Sequence, residues 1–197
     1  MDEQNNTEIT VYDLKTRSIF KIAYFSALGV FLTMMPIIFA VLGASGFFAT
    51  ANIEFSWGEM VAVIAVNLIV GPAMWAVYLI FGNWVWKKFQ PNAMDTEIEF
   101  TSHDKMFHSL TPDTIYRVLT FCSKGIVAVF GLFMGLILVF SLLFNGLDQA
   151  PYSLAAFSLM AVVLAFIPYI WAYFFKLGSY VTKGITARFG WGRIETL

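Results

Sequence analysis

Charge is what this sequence lacks most. Lysine, arginine, aspartate and glutamate together make up 13% of its 197 residues, against roughly 25% in a soluble domain. No lysine or arginine occurs from Ile22 to Trp86, and none from Gly125 to Phe175. A soluble fold with so few charges could not cover its surface. The net charge is only −1 and no basic stripe exists, which argues against nucleic-acid binding. The single cysteine, Cys122, excludes an internal disulfide framework and a multi-cysteine metal site. Histidine is almost as scarce: His103 and His108 are spaced i, i+5, which does not place both rings on one helical face. No glycine-rich phosphate loop, paired carboxylates or nucleophile with a base stands out, so no cofactor and no enzymatic activity is expected.

What is there instead is apolar. Hydrophobic residues make up 59% of the chain, against roughly 45–50% in a soluble domain, and the mean hydropathy is +0.73. Each cation-free run is far longer than the roughly 20 residues one helix needs to cross a bilayer. Each also has a polar break near its middle, at 49–59 (ATANIEFSWGE) and 145–153 (NGLDQAPYS). A helical hairpin in each run satisfies every backbone group inside hydrocarbon. The reading is an all-α membrane protein with four spans, at about 20–47, 60–84, 118–144 and 156–180. The first span is too long for a signal-peptide core and is followed closely by a second.

The cations orient the chain. Lys15, Arg17 and Lys21 precede the first span. Lys87, Lys88, Lys105, Arg117 and Lys124 lie between or flank the second and third, and Lys176, Lys183, Arg188 and Arg193 close the chain. The positive-inside rule then expects both termini and the central linker in the cytoplasm. Trp57 and Tyr152 fall near the outer interface, and Trp84, Trp86 and Tyr180 near the inner one.

Shifted by 96 residues, the sequence matches itself without a gap, with 18 identities over Leu14–Glu99. Leu14, Ile19, Phe25 and Gly29 fall on Leu110, Ile115, Phe121 and Gly125. Pro72, Trp75, Ala76, Gly82, Val85 and Lys87 fall on Pro168, Trp171, Ala172, Gly178, Val181 and Lys183. Apolar composition alone would not align Pro, Trp, Gly and the basic end in one register. The expectation is two tandem hairpin repeats, 1–101 and 102–197, related by a pseudo-twofold axis along the membrane normal.

Several positions are candidates for a role. Lys124 and Lys176 each lie one to two turns inside the cytoplasmic end of a span. They can snorkel to the headgroups or hold an anionic lipid headgroup between the third and fourth helices. Asn67 is the best deep polar residue and can bond another helix across the bundle. Pro72 and Pro168 should each kink a helix. Gly131 and Gly135 form a GxxxG pair suited to close helix contact, and Trp75 and Trp171 are the matched aromatics of the repeat. Asp113–Lys124 carries Ile115, Val118, Leu119 and Cys122 on one face and is expected to lie in the inner interface. Thr111 and Pro112 mark a helix start. The stretches 7–12, 96–101 and 193–197 look extended and could pair into a small sheet. Residues 1–6 are polar and expected to be disordered.

The segments SIFKIAYFSALGVF (18–31) and FGWGRIETL (189–197) resemble an uncharacterised bacterial family of two-helix membrane domains of unknown function, and each hairpin matches it loosely. The central copy departs, with FQPNAMDTEIEF (89–100) and no glycine before the tail. The resemblance implies the inner membrane of a bacterium and no catalytic activity. The function expected from these readings is that of an interaction or accessory subunit in the bilayer, with a membrane-protein partner or further copies of itself. The alternative is a small channel or carrier along the pseudo-twofold axis, for which Ser26, Thr33, Asn67, Ser141 and Ser158 are the polar candidates. A membrane enzyme ranks third.

Overall fold

The computed structural model describes residues 9–46, 56–89, 97–145 and 150–197. Four helices carry the fold: α1 (Thr16–Ala44), α2 (Trp57–Phe89), α3 (Pro112–Asn145) and α4 (Ala150–Phe189). Each contains a stretch long and apolar enough to cross a membrane: Thr16–Ala44, Val61–Phe89, Pro112–Ser141 and Phe157–Phe189. The helices overrun the spans expected from sequence at most ends. A helix, once nucleated, gains one backbone bond per added residue, and nothing at the polar margins interrupts it. The readings of residues 1–6, of the loops around 49–55 and 146–149, and of the Trp57 and Tyr152 side chains fall outside the described residues.

The helices close a ring in which α1 packs on α2, α2 on α3, α3 on α4 and α4 on α1. The starts of α2 and α3 are specified locally. Ser56 and Glu59 form a capping pair before α2, with Ser56 N donating to Glu59 Oε2 at 2.9 Å and Glu59 N to Ser56 Oγ at 3.3 Å. Thr111 caps α3 as expected, accepting from Thr114 N at 3.2 Å, and Pro112 is the first helical residue. Pro36, Pro72 and Pro168 all lie inside continuous helices.

Burial is confined to one end. The core gathers Val11, Leu14, Ile19, Ile22, Ala76, Leu79, Phe107, Leu110, Ile115, Leu119, Phe175 and Ile194, all from the end that carries the termini and the linker. Toward the hairpin loops, α1 beyond Gly29, α2 before Pro72, α3 beyond Gly125 and α4 before Pro168 have no buried residue among those described. The helices therefore pack tightly where the chain ends meet and expose apolar side chains along the rest of their length.

The termini end is knitted by backbone. Single 3-10 turns precede α1 and α3, at Val11–Asp13 and Phe107–Ser109. Ile98 N donates to Ile9 O at 2.8 Å, and Ile194 N donates to Lys105 O at 2.8 Å. Lys15 N donates to Glu195 O at 3.1 Å, and Thr111 N to Glu99 O at 3.0 Å. These contacts correct two expectations. Among the described residues the extended stretches meet as isolated antiparallel bridges (Thr10 with Glu97, Leu14 with Thr196, Phe100 with Leu110, Met106 with Arg193) rather than as a sheet. The first stretch turns at Val11–Asp13 and the second gives way to a bend at 101–104, which limits the pairing on each. And Asp113–Lys124 is no separate surface helix: it is the first third of α3, with Ile115, Val118, Leu119 and Cys122 fully buried. Its apolar face is used by the core, so it does not need the interface.

Candidate functional site

At four glycines the neighbouring helix comes so close that a side chain would not fit. A Cβ on Gly29 would collide with the backbone of Gly178, and one on Gly125 with the backbone of Gly82. A Cβ on Gly178 would lie 2.6 Å from Val30 N, and one on Gly82 would lie 2.8 Å from the Ile126 side chain. These four glycines bring α1 against α4 and α2 against α3. Gly131 and Gly135, expected to make such a contact, do not: nothing lies within 4 Å of a Cβ built on either. They line an apolar groove between α3 and α4 instead, opposite Ala161 and Ala165. The GxxxG spacing offers a flat face, but the pairing of helices decides which flat face is used.

Trp75 and Trp171 meet at the centre. Their ring centroids are 4.6 Å apart, and Phe175 lies against both, at 5.7 and 5.9 Å. Such ring pairs contribute about 0.5–1.5 kcal/mol beyond area burial. Pro72 and Pro168 are both buried nearby in sequence. Beside the tryptophans, α2, α3 and α4 line an open apolar pocket of about 340 Å³, bordered by Trp75, Tyr78, Val127, Phe130, Leu164 and Trp171. In the first hairpin Phe31, at the position matching Val127, reaches Gly71, where its ring stands 2.5 Å from a built Cβ. In the second hairpin the matching pair, Val127 and Ile167, both border the pocket.

The polar candidates are mostly tied locally. Asn67 Nδ2 donates to Val63 O at 2.8 Å, one turn back on its own helix, and among the described residues no bond across the bundle engages it. Thr33 Oγ1 likewise donates to Gly29 O at 3.0 Å. Ser158 is exposed. Ser26 is fully buried and its hydroxyl has no hydrogen-bond partner among the described residues. Lys176 Nζ pairs with Asp113 Oδ1 at 2.6 Å and lies 5.9 Å from the Tyr116 ring. Lys124 Nζ lies 5.8 Å from the Tyr169 ring. Both lysines thus face aromatic partners across the α3–α4 pair, and among the described residues Lys176 alone of the two has a carboxylate.

The termini end holds the densest polar network. Ser18 Oγ donates to Glu195 O at 2.9 Å and accepts from Glu195 N at 2.7 Å. Lys87 Nζ donates to Tyr12 O at 3.2 Å, and Lys183 Nζ donates to Leu110 O. Asp13 accepts from both the backbone N–H and the hydroxyl of Thr10, each at 2.8 Å, and these bonds hold its carboxyl below the usual range. Asp104 accepts from Ser102 Oγ at 2.7 Å and pairs with His108 Nε2 at 3.0 Å; the Ser102 bond leads in lowering its pKa. No group of three metal-ligating side chains occurs among the described residues. Sequence reasoning missed this network because its partners lie up to 177 residues apart.

Four apolar helices of spanning length, joined as two hairpins, define a multi-pass membrane protein. No family model, no curated protein and no solved structure matches the chain.

Proposed function

We propose that the chain is a non-enzymatic polytopic protein of a bacterial inner membrane, acting as an interaction or accessory subunit, with both termini in the cytoplasm. The observation that carries the reading is the division of each helix. The end with the termini packs upon itself, while Ile69, Leu136, Phe140, Val162 and Phe166, toward the loops, are more than half exposed. In a bilayer that surface meets lipid or another apolar helix, and association there rests on packing rather than on water exclusion.

We further propose that the two hairpins are tandem repeats about an axis along the membrane normal. The support is positional. Adding 96 to both partners of Ile9–Ile98 gives Lys105–Ile194, and adding 96 to Thr10–Glu97 gives Met106–Arg193. The same shift carries Gly29 to Gly125, and the opposite shift carries Gly178 to Gly82, so one close glycine contact maps on the other. Lys15–Glu195 and Thr111–Glu99 exchange likewise, which ties the start of each half to the tail of the other. Each half on this reading belongs with the two-helix bacterial domains it resembles. Against a channel along the axis stands the Trp75–Trp171 pair, with Leu79 and Phe175 fully packed beside it. On the lipid side, Lys124 is the better contact for an anionic headgroup, since Asp113 already engages Lys176.

The test is site-specific photo-crosslinking in native membranes. A photoreactive residue at Leu136 or Phe166 is expected to capture one discrete protein, a second copy or a partner. Capture of lipid alone at both positions would refute the subunit role.

A further inference from the structure

Beside the Met106–Arg193 bridge lies a polar cleft of about 460 Å³ lined by Lys15, His103, Asp104, Lys105, Arg193 and Glu195. Its two carboxylates are engaged. Glu195 pairs with Lys15 at 3.5 Å and with Lys21 at 4.0 Å. Asp104 holds Ser102, His108 and the backbone N–H of Met106. Among the described residues, no ion pair or side-chain hydrogen bond engages His103, Lys105 or Arg193.

These groups are held together by backbone, not by mutual attraction. Ile194 N donates to Lys105 O at 2.8 Å, and Lys21 Nζ donates to Arg193 O at 2.7 Å. Lys105 is also the one non-glycine residue with a left-handed backbone among those described, at φ 48. That conformation is unfavourable for a residue with a Cβ and persists where surrounding contacts impose it. Glu195 offsets Lys15, but among the described residues Lys105 and Arg193 are left side by side without a carboxylate of their own, an arrangement that an added anion would stabilise.

The fold does not require the cations. At positions displaced by 96, where the backbone pairing is the same, Lys105 is matched by Ile9, Arg193 by Glu97 and Lys15 by Thr111, while Glu195 is matched by Glu99. One corner of the termini end is basic and its counterpart is not.

We propose that this cleft binds a phosphate-bearing anion. The Arg193 guanidinium offers a planar fork for two phosphate oxygens, and Lys105 and Lys15 supply point charges. His103 adds a ring nitrogen as a further donor. The phosphate is either that of a lipid headgroup or a free one, and the chemistry recognised is the same.

The experiment uses the full chain in phosphatidylcholine nanodiscs. One arm titrates inorganic phosphate and follows it by ³¹P NMR. The other incorporates phosphatidylglycerol and measures its retention by native mass spectrometry. The double variant Lys105→Gln/Arg193→Gln is compared with Lys88→Gln/Arg188→Gln, which removes the same charge from exposed positions elsewhere. The wild type is expected to bind in at least one arm, and that arm identifies the source. The cleft variant should lose about tenfold in that arm and the control less than about twofold. Absence of binding in both arms, or equal losses from the two variants, overturns the proposal.

Discussion

Glycine sets the distance between helices at two places, and the sign of a substitution depends on what faces it. A methyl on Gly82 or Gly178 meets backbone of the neighbouring helix, which cannot rotate away. Gly82→Ala and Gly178→Ala are each expected to destabilise by about 1–3 kcal/mol, as overpacking does. Gly131→Ala and Gly135→Ala face open space and should change stability by less than about 1 kcal/mol, with a gain from helix propensity. Unfolding in mixed micelles, read by tryptophan fluorescence, separates the pairs. Asp13 provides a pH test at the same scale. Its folded pKa lies below the ordinary carboxylate value, so its contribution is present above pH about 4 and lost as pH falls through the folded value. Asp13→Asn should lower stability at neutral pH and flatten the acid limb below it.

The elements that hold the halves together are short segments rather than helices. The tail 193–197 supplies backbone partners to Asp13, Lys15 and Lys105, and its Glu195 backbone is clasped by the buried Ser18 hydroxyl. Ser18→Ala leaves a buried N–H and a carbonyl without that partner and is expected to cost about 1–3 kcal/mol. Removing 193–197 should cost more, because it takes Ile194 out of the core as well as removing the polar groups. Hydrogen exchange at Lys15 and Thr111 tells the two effects apart. Loss of the tail should speed exchange at Lys15, whose acceptor is Glu195, and spare Thr111, whose acceptor is Glu99.

At the scale of the whole molecule, orientation is the property to test. In a Cys122→Ala background, cysteines at Asn52 and Gln149 are expected to react with an impermeant thiol reagent added from outside. Cysteines at Asn92 and Thr196 are expected to stay unlabelled until the membrane is permeabilised. Labelling of the linker from outside would sink the cation argument. The packed end and the exposed end also differ in what they allow. Changes to large apolar residues near the loops, such as Leu136→Val, should leave the isolated chain's stability within about 0.5 kcal/mol, because more than half of that side chain is already exposed.

The four spans were legible in the residues themselves. A segment in hydrocarbon must bond its own backbone, so a long cation-free run with one polar break has to become a helical hairpin. The Thr111–Pro112 start was legible for the same kind of local reason. What the tertiary structure alone decided is which surfaces meet. Gly131 and Gly135 carry the spacing of a contact, yet Gly29, Gly82, Gly125 and Gly178 make the contacts. Asn67 looked able to reach across the bundle, yet a carbonyl one turn away satisfies it first. The gathering of Lys15, Lys105 and Arg193 at one cleft joins residues from three distant parts of the chain. Local pattern reports the bonds a segment must make with itself. It does not report the helix pairing that brings such positions together.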